Sequence, residues 1–223
     1  MVGLLYSKEL TCPICLKQFK TKRARRSKVV IAGQDSDFCP RYKSEDNPIF
    51  YDPTICPKCG YGAMKDDFED ITDHQKIAVL KNITPKWNKR NYGGRRNVAD
   101  AIECYRHILE NARVMHKKAS TLATICMRLA WCYRYNQDPR EDQFVRLALK
   151  HYQAAYEKEK LPIKKLNAIT LLYIIGELNR RLGNTDKALQ YFSRVVEHPK
   201  RFKNQRIEKM AREQWHKIKD EQD

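Results

Sequence analysis

The sequence is short of glycine, with eight in 223 residues, and it has no apolar run of about 18 residues. The first shortage matches the absence of a Gly-rich phosphate loop, and the second leaves no helical segment suited to spanning a bilayer. Near the start only Leu4-Leu5 is apolar before Tyr6, Ser7, Lys8 and Glu9, so no signal peptide is expected. No glycine directly follows the first methionine and the final residues include no cysteine for a lipid, which together give a cytoplasmic expectation. His-Glu-x-x-His and Ser/His/Asp patterns are also missing. An enzyme is therefore not expected, and that reading revives only if a metal site is left open to a metal-dependent hydrolysis. Disorder is excluded as well, because 42% of the residues are hydrophobic and 10% aromatic.

Cysteine is abundant by contrast. Eight of them in a chain without a secretory segment point to metal or thiol chemistry rather than to a disulfide framework. Five lie early, at Cys12, Cys15, Cys39, Cys56 and Cys59, and four of these form two matching turns, Cys12-Pro-Ile-Cys15 and Cys56-Pro-Lys-Cys59-Gly60. Two residues between thiolates let one tight turn aim both sulfurs at a single ion, with amides of the turn stabilising their charge. One turn supplies half a tetrahedron, so two supply a closed four-thiolate site suited to structural Zn²⁺. Cys12, Cys15, Cys56 and Cys59 are the expected ligands. Iron shares that ligand set. A thioredoxin-like dithiol would need a βαβ surround, and neither pair has one.

Between Cys15 and Cys56 lie 40 residues, against the 15–20 of a compact zinc ribbon, so a segment is inserted between the turns. It begins with seven basic residues from Lys17 to Lys28 and not one acid. Phe19, Val29 and Ile31 suggest strand ends around them. The stretch reads either as a phosphate-contacting hairpin or as a solvated face balanced by Asp66, Asp67, Glu69, Asp70 and Asp73. Cys39 is open to three readings, a fifth thiol at the metal, a reactive thiol or a buried apolar side chain, and burial is the usual fate of an unpaired cysteine. His74 falls on a helix expected from about Asp66 to Asn82, with Ile71, Ile77 and Leu80 on its apolar side. Packing or surface is expected for His74 rather than ligation.

After a short basic stretch, Gly93-Gly94-Arg95-Arg96, expected to be flexible, the period becomes helical. Ala101-x3-Tyr105-x2-Ile108 recurs as Ala148-x3-Tyr152-x2-Ala155 and Ala188-x3-Phe192-x2-Val195. The segment from Leu172 through Gly176 and Gly183-Asn184 to Phe192 resembles a tetratricopeptide repeat, with Gly176 at a helix crossing and Gly183-Asn184 as the turn. Leu129-Ala130-Trp131-Cys132-Tyr133 matches the first helix of an earlier unit. Ile207, Met210, Ala211, Trp215 and Ile218 form one apolar stripe, the mark of a cap on an open stack. Cys104, Cys126 and Cys132 read as core.

The chain as a whole resembles the bacterial proteins grouped as domain of unknown function 2225. The motifs that carry the likeness are Tyr6-Ser7-Lys8-Glu9-Leu10-Thr11-Cys12-Pro13-Ile14-Cys15, Arg25-Arg26-Ser27, Asp35-Ser36-Asp37-Phe38-Cys39, Tyr51-Asp52, Cys56-Pro57-Lys58-Cys59-Gly60-Tyr61, and Leu129-Ala130-Trp131 with Tyr133-Arg134. The resemblance implies a metal-binding N-terminal part followed by tetratricopeptide-like helices, and it adds no mechanism. Leu16 and Lys17 depart from the Cys-Gly that commonly follows such a turn.

The expected fold class is thus α, with a small β-containing zinc-ribbon-like module at 1–65, a connecting helix and linker at 66–96, and a tetratricopeptide-like α-solenoid at 97–223. Residues 1–75 carry 12 basic against 11 acidic side chains, and residues 76–223 carry 32 against 16. The basicity belongs to the helices. Two binding readings follow. One is a zinc-binding adapter whose repeat groove takes a protein or acidic peptide, with Arg128 the only inward first-helix position suggestive of carboxylate binding. The other is a nucleic-acid or transcription-associated binder using Lys17 to Lys28 with Arg90, Arg95 and Arg96.

Overall fold

The computed structural model describes residues 3–164 and 166–221, so Met1, Val2, Lys165, Gln222 and Asp223 of the expected ranges lie outside it. Three two-stranded antiparallel hairpins come first. β1 (Leu5–Thr11) pairs with β2 (Gln18–Ala24), β3 (Ile31–Gln34) with β4 (Pro40–Tyr42), and β5 (Pro53–Ile55) with β6 (Gly62–Met64). The first and third hairpins turn on the two Cys-Pro-x-Cys sequences, and the second is the insert between them. In β2 the period of two places Phe19, Thr21 and Arg23 inward while Gln18 and Lys20 face water.

Seven α-helices follow among the described residues: α1 (Asp73–Asn82), α2 (Val98–Val114), α3 (Ala119–Tyr135), α4 (Glu141–Lys158), α5 (Ala168–Arg181), α6 (Thr185–Val196) and α7 (Gln205–Asp220). From α2 onward each helix packs on the next along the chain. The recurring positions explain why: Ala101, Tyr105, Ile108, Ala148, Ala155, Ala188, Phe192 and Val195 are all fully buried. Gly176 is where α5 and α6 touch, since a methyl group there would stand 2.9 Å from the Phe192 ring. Gly183 ends α5 with φ +75°, a conformation that costs glycine little. On α7 the stripe is as expected, with Ala211 and Ile218 buried and Ile207, Met210 and Trp215 partly buried against α5 and α6 residues.

Two local expectations need correction. The helix expected from Asp66 begins only at Asp73, because Thr72 and Gln75 form a reciprocal capping box that starts it there. The residues before it instead turn back on themselves, through Asp67 N–H to Met64 O and Asp70 N–H to Asp67 O, and bury Phe68 against Tyr61. Its inward side chain is Val79, whereas Ile77 and Leu80 are 63% and 47% exposed and His74 faces solvent. The Gly93-Gly94-Arg95-Arg96 stretch is not a loose linker either. Gly93 lies so close to β2 that a Cβ would collide with Lys20 O, and Arg96 is buried.

The hydrophobic core crosses the expected boundaries. Cys39, Ile49, Phe50, Tyr51 and Ile55 join side chains of α2 to α5 in one cluster. A second cluster holds the cysteine turns together with Phe68, Val79, Ile83 and Met115.

Candidate metal centre

Each cysteine turn sits at the tip of a hairpin and carries the same backbone pattern. Leu16 N–H donates to Cys12 O at 3.0 Å and Gly60 N–H to Cys56 O at 3.0 Å, while Cys12 N–H reaches Lys17 O and Cys56 N–H reaches Tyr61 O. The residue after each second cysteine has a left-handed backbone, φ 57° at Leu16 and 73° at Gly60. The unusual leucine therefore leaves the first turn intact and bears the strain that Gly60 avoids.

The tips meet. The four sulfurs of Cys12, Cys15, Cys56 and Cys59 lie within 4.8 Å of one another, with Cys12 to Cys59 at 3.6 Å and Cys15 to Cys56 at 3.5 Å. Zinc bound to thiolate at about 2.3 Å implies a tetrahedral edge of about 3.8 Å, so the donor set fits such an ion. Cys12, Cys56 and Cys59 are buried, and Cys15 is half-buried. Cys39 is not part of the group. It is buried in the helical core against the Tyr135 hydroxyl at 3.4 Å, and burial pushes its thiol up to about 11. Cys104, Cys126 and Cys132 are wholly buried, as expected of core residues.

The second turn is clamped by residues whose role is not visible in the sequence. Thr84 Oγ1 donates to Cys59 O at 2.9 Å and Trp87 Nε1 to Pro57 O at 3.0 Å. From α2, His107 Nε2 donates to Gly60 O at 2.6 Å, and Asn111 accepts from Gly62 N–H at 3.1 Å. Burial lowers the His107 pKa, so the ring is neutral and its single proton serves that carbonyl. The one signal available was Asn111, a polar residue on the apolar stripe of α2.

The insert meets the helices through a loop of alternating acids. Asp37 is fully buried, and the Arg134 guanidinium forks onto it at 3.1 and 2.6 Å, with Trp131 Nε1 at 3.2 Å and Arg181 at 3.4 Å. Burial pushes the Asp37 carboxyl up, but the Arg134 hydrogen bonds and both arginine charges outweigh it and hold the pKa below its ordinary value. Arg134 also binds Asp35 at 2.8 Å, and Ser36 donates to the buried Glu177 on α5 at 2.6 Å. The faces of α3 and α5 expected to receive a partner's acids here hold the chain's own.

The basic residues assigned to nucleic acid divide in two. Arg23 is buried, donating to Tyr51 O and Thr54 Oγ1, and Arg96 is buried on Phe50 O and Pro53 O at 2.9 Å each. Arg90 pairs with Glu103 and Arg95 with Asp46. Lys17, Lys20, Arg26 and Lys28 stay exposed. No helix among the described residues is long and apolar enough to cross a membrane.

No curated protein and no solved structure matches the chain. The sequence model of one family, described as uncharacterized protein conserved in bacteria (DUF2225), matches residues 5–218, from the first hairpin into α7, and the chain belongs to that family.

Proposed function

We propose that the protein is a non-catalytic adapter in which a structural zinc ion on Cys12, Cys15, Cys56 and Cys59 fastens the N-terminal hairpins, and tetratricopeptide-like helices bind an acidic segment of a protein partner. The observation that carries the non-catalytic half is the closed donor set. Four protein sulfurs within 4.8 Å are enough to fill a tetrahedral ion, and an ion so filled would offer no position to a reacting water or substrate, which supports this reading. The helix pairs α3–α4 and α5–α6, with the Gly176 crossing and the Gly183 turn, support the tetratricopeptide reading.

The partner reading rests on charge left over after internal pairing. The Asp35 to Cys39 loop covers α3 and α5, and exposed cations remain on the second helices. Arg106 on α2 and Arg146 and Lys150 on α4 are exposed with no ion pair among the described residues, and Arg113 on α2 is exposed beside Glu110 at 3.9 Å. Burial first, then Lys150 and Arg113, lowers the His151 pKa, a sign of the positive field on that side.

Affinity capture of the full chain from its own cells, with and without nuclease, tests this. A protein retained after nuclease and lost from an Arg113→Glu, Arg146→Glu, Lys150→Glu variant is the expected result. Capture that nuclease abolishes, with oligonucleotide binding that falls steeply with salt, would replace it by the nucleic-acid reading.

A further inference from the structure

Beneath the insert, between β6, α3, α4 and the loop that follows α4, lies a cavity of about 480 Å³. That volume lies within the range of small-molecule sites, roughly 300–1,000 Å³. Its walls are largely apolar, with Phe38, Met64, Met127, Ile163, Leu166 and Ile174 contributing. Into this space α3 delivers Arg128, whose guanidinium lies over the Trp131 ring at 4.5 Å from its centre.

Arg128 differs from the lysines around it, and from Arg26 of the same lining, which is exposed to solvent. Lys65 pairs with Asp52 and Lys164 with Asp67, while Asp37 is held by Arg134 and Arg181. Arg128, only half-exposed, has no hydrogen bond or ion pair among the described residues beyond its ring contact. The acid whose charge most supports it is Asp52, and Lys65 already occupies that carboxylate. A guanidinium that faces a cavity and has no acceptor of its own is open to one, and its planar fork matches a carboxylate or a phosphate. We propose that this cavity binds a small monocarboxylic acid with an apolar body, its carboxylate on Arg128 and its body among the apolar walls.

Two features narrow the class. Four carboxylates, on Asp37, Asp52, Asp66 and Asp67, and four cations, on Arg26, Lys65, Arg128 and Lys164, line the same cavity, so its charges balance and its apolar walls favour an acid with an apolar body over inorganic phosphate. Tyr152 on α4, also in the lining, offers a hydroxyl to the ligand's polar end. The site is separate from the cysteine cluster and from the outer faces of α2 and α4, so it stands or falls apart from the adapter reading.

Calorimetric titration of the full chain with phenylacetate, 4-methylvalerate, phenylacetamide and inorganic phosphate tests the assignment. Saturable binding of the two acids at a Kd of about 1 mM or tighter is expected, with the amide and phosphate at least about tenfold weaker. Arg128→Met should abolish the acid signal, and Arg128→Lys, which keeps the charge and loses the fork, should weaken it by about tenfold. The acid and amide comparison uses the unaltered protein and so does not depend on either variant folding. Equal binding of acid and amide, phosphate binding tighter than either acid, acid binding unchanged in Arg128→Met, or no saturable acid binding up to about 10 mM would each overturn the proposal.

Discussion

The two cysteine turns have nearly the same sequence and the same internal hydrogen bonds, yet they are held in opposite ways. The first stands at the end of a long hairpin, whose strands of seven residues each fix it, and its Leu16 is 74% exposed. The second ends a hairpin with strands of only three residues, too short to persist alone, and rests on α2 and Trp87. Local pairing secures one half of the site and tertiary contact secures the other. Glycine is thus indispensable in only one of them, because only Gly60 lies under a tryptophan.

If the four sulfurs hold zinc as proposed, its removal breaks the comparison most forcefully, since structural zinc supplies apparent binding free energy on the order of 10–16 kcal/mol. A Cys12→Ser, Cys56→Ser double variant should purify without metal, and retention of full metal content would refute the ligand assignment. After chelation, amide exchange should rise more at the first turn than at the second, which keeps its bonds to Thr84, Trp87, His107 and Asn111. Equal exchange at both turns would mean that the α2 clamp contributes nothing.

Smaller changes separate the turns further. Gly60→Ala combines a strained φ with a Cβ 2.7 Å from the Trp87 ring, and it should cost about 3 kcal/mol in denaturant unfolding. Asn111→Ala leaves the Gly62 amide without its acceptor and should cost about 2 kcal/mol by the same measurement, with no loss of metal. Leu16→Gly should go the other way, raising stability by about 1 kcal/mol as the left-handed strain is relieved. A destabilised Leu16→Gly protein would show that the exposed leucine has a packing role that its surroundings do not reveal.

What could be read from the sequence was set by short-range chemistry. The Cys-x-x-Cys turns and the Ala101, Ala148 and Ala188 patterns declare themselves within a few residues, and the structure puts the sulfurs together and buries the alanines. The fate of a charge is different, because it depends on a partner far along the chain. Arg23 and Arg96 looked like cations for a ligand, but their carbonyl acceptors lie 28 and 46 residues away. Asp37 stood out only as part of a motif, and its arginine is 97 residues on. His107 stayed hidden for the same reason, and Asn111, a polar residue on the apolar stripe of α2, gave no hint that its partner is a hairpin 49 residues away.

The loop gripped by Arg134 lies between the two cysteine turns in the chain, so an ion on the four sulfurs would close a ring that contains it. With 40 residues between Cys15 and Cys56, such a closure withholds from the unfolded chain an entropy worth about 4 kcal/mol. The helices hold the middle of a belt whose buckle would be that ion. Opening the buckle would lengthen the free ends on either side of Asp37 and weaken the grip of α3 and α5 on that residue without any change in the residues that make it. Occupancy of the four sulfurs would in this way be felt on the helices, through the connectivity of the chain.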